Sequence, residues 1–237
     1  MSGVHWTVVL LAVGSVAAAL TVYPYTATAI AYRGSDNGLA YILFVLGVGI
    51  WNAMFAAQLL DPDPVVKGFF LSLSVVGASL AGLGWFLFAG TASMTAGFPK
   101  TQSAYGGLAF LVGINIALVI TNPAHGLYWT IPSDAATLVA IDPNPLYWIH
   151  TLFLAALFGA GTALFAEAWK TGIKVPYSRG YTIAGAITVL AIVGSNVLTP
   201  GGASVAPLIA ASLTTIGWLQ ATRGRAASMV RSYVRPS

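Results

Sequence analysis

Seven apolar runs dominate the chain: Val8–Tyr32, Leu39–Leu60, Val65–Gly90, Ala104–Thr121, Leu146–Thr171, Tyr181–Leu198 and Ala203–Thr222. Each is long enough, as a helix, to cross a hydrocarbon core of roughly 30 Å. Lipid offers nothing to hydrogen-bond a bare backbone, so an apolar run in lipid closes its own bonds as a helix. The expected fold is all-α: a polytopic membrane protein with a seven-transmembrane helix bundle over residues 1–222 and a basic tail at 223–237. Charged residues make up 7% of the chain, against about 25% in soluble domains, too few to cover a water-facing surface. Val8–Tyr32 is too long for a signal-peptide core, and Met1–Trp6 carries no Lys or Arg, so this first span reads as uncleaved. No internal repeat, coiled coil or soluble domain is visible.

Charge placement orients the bundle. With the N-terminus outside, Arg33, Lys100, Lys170, Lys174, Arg179, Arg223, Arg225, Arg231 and Arg235 fall on the cytoplasmic side and only Lys67 outside. That is the positive-inside pattern. Topology and contact with anionic lipid account for the basic loops better than nucleic-acid binding does. Asp61, Asp63, Asp134 and Asp142 fall outside. The expected location is the cell membrane, multi-pass, with the C-terminus cytoplasmic. The absence of cysteine removes disulfides, thiolate metal sites and cysteine nucleophiles.

The connections are short turns, with one exception. Thr121–His150 is the long polar connection and holds two of the three histidines. Loops of this kind in compact proteins are usually functional, and this one is expected to cap the outer face. Its Tyr128, Trp129, Tyr147 and Trp148 equally suit anchoring at the headgroup level.

Polar residues inside the spans need a partner or a wet cavity. Trp51, Phe55 and Gln58 share a helix face, as do Asn115 and Asn122. His150 opens the fifth span and Asn196 lies near the end of the sixth. The candidate ligand-binding set is Gln58, Asn115, Asn122, His125, Trp148, His150 and Asn196. Bonds across helices compete with a ligand-facing role for Gln58, Asn115 and Asn196. His125 and His150 with Asp134 or Asp142 have suitable chemistry for zinc but no close ligand spacing, so no metal is expected. Glu167 is the lone carboxylate in a span and is expected to pair with Lys170 at i, i+3. Small residues four apart, such as Gly77 and Ala81, suit close helix packing in lipid.

Three stretches carry a family resemblance. They are Gln58-Leu59-Leu60-Asp61 leading into Val65-Val66-Lys67-Gly68-Phe69-Phe70, then Thr121-Asn122-Pro123-Ala124-His125-Gly126-Leu127-Tyr128-Trp129, and Pro145-Leu146-Tyr147-Trp148-Ile149-His150. Gly194-Ser195-Asn196 and Ala206-Pro207 fit more loosely. In this order the chain resembles the N-terminal seven-transmembrane region of sensor histidine kinases. The resemblance implies a signal-input module with no catalytic residues of its own, and a dimer. No kinase follows the bundle in this sequence, so output is expected from a separate cytoplasmic partner or from residues absent from it.

Other classes fit less well. Covalent retinal needs a lysine in the last span, and Ala203–Thr222 has none; a noncovalent apolar ligand stays open, and no cofactor is expected. A small-solute transporter or channel usually shows repeated halves and broken helices. A structural or partner-binding membrane protein is the third reading. The expected partners are membrane lipids, a small-molecule ligand and an output protein, with no nucleic acid.

Overall fold

The computed structural model describes residues 6–31, 38–93, 102–132, 141–173 and 175–219. Expectations about Arg33, Lys100, Asp134, Lys174 and the tail at 223–237 lie outside them. The helices are α1 (Trp6–Ala31), α2 (Gly38–Leu60), α3 (Pro64–Ala92), α4 (Gln102–Ile120), the single turn α5 (Asn122–His125), α6 (Pro145–Lys170) and α7 (Ser178–Leu198). The last helix, α8, runs over Ala206–Leu219. Two short strands, β1 (Trp129–Thr130) and β2 (Asp142–Pro143), pair antiparallel.

By length and composition, α1, α2, α3, α6 and α7 can each cross a membrane; Tyr105–Ile120 and Ala206–Leu219 are shorter apolar helices. Their outward faces carry Leu10, Leu20, Phe110, Leu152 and Leu190, all well exposed. Lipid is the solvent that makes such faces stable.

The turn between α2 and α3 is built by two aspartates. Asp61 accepts from the Asp63 amide at 2.8 Å. Asp63 then caps α3, accepting from the Val65 amide at 2.7 Å, with Pro64 at the first helical position. A proline there loses nothing, because its missing N–H is one the helix cannot use. Asp61-Pro62-Asp63-Pro64 therefore starts α3 as much as it ends α2.

α3 is the hub, packing on α2, α4 and α6. Its contact with α2 is backbone to backbone. An added Cβ at Gly77 would strike the Trp51 backbone, one at Gly84 the Phe44 backbone, and one at Gly47 the Ala81 backbone. Gly77, Ala81 and Gly84 lie on one helical face, so the small residues act as a set. Away from the cap, Trp85 is fully buried among Phe44, Phe88, Phe158, Phe165 and Tyr181. Its indole N–H donates to the Phe158 carbonyl at 3.1 Å, which meets the cost of burying it. α8 is tied on by the Tyr41 hydroxyl to the Thr214 carbonyl at 2.9 Å and by Asn52 Nδ2 to the Pro207 carbonyl at 2.9 Å.

One expectation needs correction. Glu167 and Lys170 are both exposed and form no ion pair with each other among the described residues; solvation of two exposed heads outweighs such a pair. Lys67, in the first turn of α3, is buried at 3% exposure.

Candidate functional site

The described residues of the long connection, 121–132 and 141–150, are tied together by side-chain bonds. Asn122 organises them from inside. Its Oδ1 accepts from the Tyr128 amide at 2.9 Å, and its Nδ2 donates to the Trp129 carbonyl at 2.9 Å. Gly126, at φ 62, makes the left-handed turn that ends α5 and redirects the chain. Asn144 closes the far side, its Nδ2 donating to the Gly126 carbonyl at 2.6 Å and its amide to the Tyr128 carbonyl at 2.9 Å. Tyr128, Trp129, Ile141 and Tyr147 then pack with Leu71 and Val119 as a small core of their own. Tyr128, Trp129 and Tyr147 are thus buried rather than lying at a headgroup surface, and only Trp148 is substantially exposed, at 38%.

His125 belongs to this scaffold. Its Nδ1 accepts from the Leu127 amide at 3.0 Å, so the ring proton sits on Nε2, which faces the Leu118 carbonyl at 3.2 Å. Both nitrogens are spent within α4 and its continuation.

His150 has the opposite tautomer, fixed through a chain of partners. The Ser79 hydroxyl donates to the Val75 carbonyl at 2.9 Å, so toward Asn115 it can only accept. Asn115 Nδ2 supplies that proton at 3.0 Å. The Asn115 carbonyl oxygen must then face its two other neighbours. The Tyr128 hydroxyl donates to it at 2.7 Å, and His150 Nδ1 lies 3.1 Å away. Nδ1 of His150 therefore carries the proton, and Nε2 is left with a lone pair. One amide joins α3, α4, α6 and the cap.

Beneath the cap lies a cavity of about 60 Å³. α2 contributes Trp51, Phe55 and Gln58, α6 contributes Tyr147 and His150, and α7 contributes Asn196. α3 and the α7–α8 turn close it. Of the sequence-derived candidates, Gln58, His150 and Asn196 reach the wall. Asn115 stands one hydrogen bond behind. Asn122, His125 and Trp148 do not line it: the first two hold the cap, and Trp148 lies edge-on to the outer side of Tyr147 with ring centroids 5.4 Å apart. Sequence reasoning missed Tyr147, whose hydroxyl donates to Asn196 Oδ1 and accepts from the Gly201 amide at 3.2 Å. Its only signal was a tyrosine one residue before Trp148, three before His150. Among the described residues no three His, Asp or Glu side chains gather as a metal site.

A wider apolar groove of about 850 Å³ flanks the cap, between the start of α3 and Ile120, Trp129 and Pro132. Its exposed Val65 and Phe69 suit lipid chains. The smaller cavity is where several polar groups converge, the usual make-up of a selective site.

A sequence model described as the N-terminal 7TM region of histidine kinase matches residues 8–223. The chain belongs to that family. The helices described above are thus those of a seven-transmembrane bundle in a multi-pass membrane protein, with α5 as an extra turn inside the cap. The histidine-kinase 7TM region is a sensory input region, and the cap, with the network through Asn115, is how this member of it closes one end. No curated protein matches the chain.

Proposed function

We propose that this histidine-kinase 7TM region senses a small molecule or lipid fragment in the cavity beneath the cap. The cavity between α2, α3, α6 and α7 is the observation that carries the reading. Its wall is formed by separate helices, so an occupant that fits one packing better than another shifts the bundle. The bundle is itself non-catalytic and passes the shift to a cytoplasmic kinase or other output protein, as a dimer. The cap faces outward, with the N-terminus outside and the C-terminus inside, as the one-sided distribution of basic residues favours.

Filling the cavity by mutation tests this without knowing the ligand. Ser74 is buried on the α3 side of the wall, and Ser74→Leu should act as a fixed occupant. The chain has no cysteine, so spin labels placed at Val66 and Ile149 report the α3–α6 separation in nanodiscs. A shift of about 1–2 Å is expected, the scale of helix movements in switching proteins. An unchanged distance distribution in a folded variant would sink the reading. Labelling single cysteines at Ser2 and Ser237 from one side tests the orientation; a Ser237 site labelled from outside would reverse it.

A further inference from the structure

The cavity wall has an unequal stock of donors and acceptors. The Tyr147 hydroxyl is committed to Asn196. Asn196 Nδ2 donates to the Ile192 carbonyl at 2.8 Å. The Ser195 hydroxyl donates to the Ala191 carbonyl at 2.6 Å, so the proton between it and Ser204, 2.9 Å away, comes from Ser204. Thr199 donates to the Ala203 carbonyl at 2.7 Å. Gln58 Nε2 donates to the Gly201 carbonyl at 2.6 Å. The hydroxyl protons of this wall are used inside the protein, Ser74 excepted.

Two of its acceptors are not used. Gln58 Oε1 is buried and has no partner among the described residues. His150 Nε2 holds the lone pair that the Asn115 network forces onto it, and makes no hydrogen bond among the described residues. Among the described residues no Lys, Arg, Asp or Glu lines the cavity. An ion there would be desolvated with nothing to oppose it, which is prohibitive. The volume of about 60 Å³ admits a few heavy atoms.

We propose that the occupant is a small uncharged hydroxyl compound that donates hydrogen bonds to Gln58 Oε1 and His150 Nε2. This rests on the sensory reading of the same cavity and adds the chemical class. Gln58 Oε1 is sealed from solvent, so an occupant reaches it when the amide swings into the cavity. That swing draws Nε2 from the Gly201 carbonyl and loosens the α7–α8 turn. Binding is thereby coupled to the packing of α8 against α2. The hydroxyl belongs either to a free alcohol or to the glycerol end of a lipid.

Ethylene glycol is a suitable probe, since it is small, bears hydroxyls and stays out of lipid; acetone has similar size but only accepts. Saturation-transfer NMR on the full chain in phosphatidylcholine nanodiscs reads both. Ethylene glycol should bind, and acetone should bind at least ~10-fold more weakly, the ratio expected for one hydrogen bond at the upper end of its usual worth. Gln58→Leu and His150→Phe should each weaken ethylene glycol by a similar factor while leaving helix content unchanged. The two variants are independent, so a folding failure in one leaves the other. Loss of ethylene glycol binding in phosphatidylglycerol discs would assign the hydroxyl to a lipid headgroup, and retention to a free alcohol. Acetone binding as well as ethylene glycol would overturn the donor requirement and leave the sensory reading standing. Binding of neither probe would overturn the occupant and the pocket together.

Discussion

The Tyr128 hydroxyl donates to Asn115 Oδ1 across 2.7 Å, joining the middle of the cap to α4 a full turn below its end. The bond is what orders the His150 proton, because it helps hold the Asn115 carbonyl toward α6. Tyr128 also has a shifted acidity. Burial pushes its phenol from 10.0 up to about 12. The unfolded chain releases this proton near pH 10 and the folded chain keeps it to about 12. Its contribution is therefore whole below about pH 10 and is lost as the pH rises through about 12. Tyr128→Phe should cost about 1 kcal/mol at neutral pH and show a shallower alkaline loss than the wild type. Unfolding in mixed micelles across that range checks both; parallel curves would refute the assignment.

Asn122 makes both of its bonds to backbone groups that have few alternatives. Asn122→Ala should cost roughly 2–3 kcal/mol, since it strands a buried amide and a buried carbonyl. Asn122→Asp should be no better, because it sets a carboxylate oxygen against the Trp129 carbonyl. Amide exchange at residues 126–130 should quicken in either variant. Protection unchanged from the wild type would mean the hairpin, not Asn122, holds the cap.

The glycines divide into two kinds that a pair of substitutions separates. Gly77→Ala drives a methyl into the Trp51 backbone and should cost about 1–3 kcal/mol by overpacking. Gly106 on α4 has nothing within 4 Å of an added Cβ. Gly106→Ala should be neutral or stabilising by up to about 1 kcal/mol, as Gly to Ala in a helix interior usually is. Equal effects in the two variants would argue against the close α2–α3 contact.

The helices were legible because apolar length is a strong signal, and Asp61-Pro62-Asp63-Pro64 marks the boundary between α2 and α3. Gln58, His150 and Asn196 were legible as polar residues with nowhere to go in lipid. Tyr147 was not, because tyrosine at a helix start suits an interfacial anchor as well as a buried bond, and only the position of Asn196 and Gly201 decides between them. The hairpin was invisible for another reason. Trp129-Thr130 and Asp142-Pro143 are too short to alternate, and side-chain bonds from Asn122 and Asn144 set their register. His125 misled because a histidine in a polar loop looks like a ligand or switch, while its two nitrogens serve local backbone.

The bond from Gln58 to Gly201 spans 143 positions of sequence, and that from Asn52 to Pro207 spans 155. During synthesis α2 and α3 can pair as soon as both have left the ribosome, since their contact needs only glycines already made. Gln58 Nε2 on α2 meets the Gly201 carbonyl only once the chain has reached the α7–α8 turn, whereas Asn52 Nδ2 already has the Val48 carbonyl of its own helix at 3.0 Å. The long-range bonds of α2 therefore close late, and the cavity rim at Gln58 is complete only once Gly201 is in place.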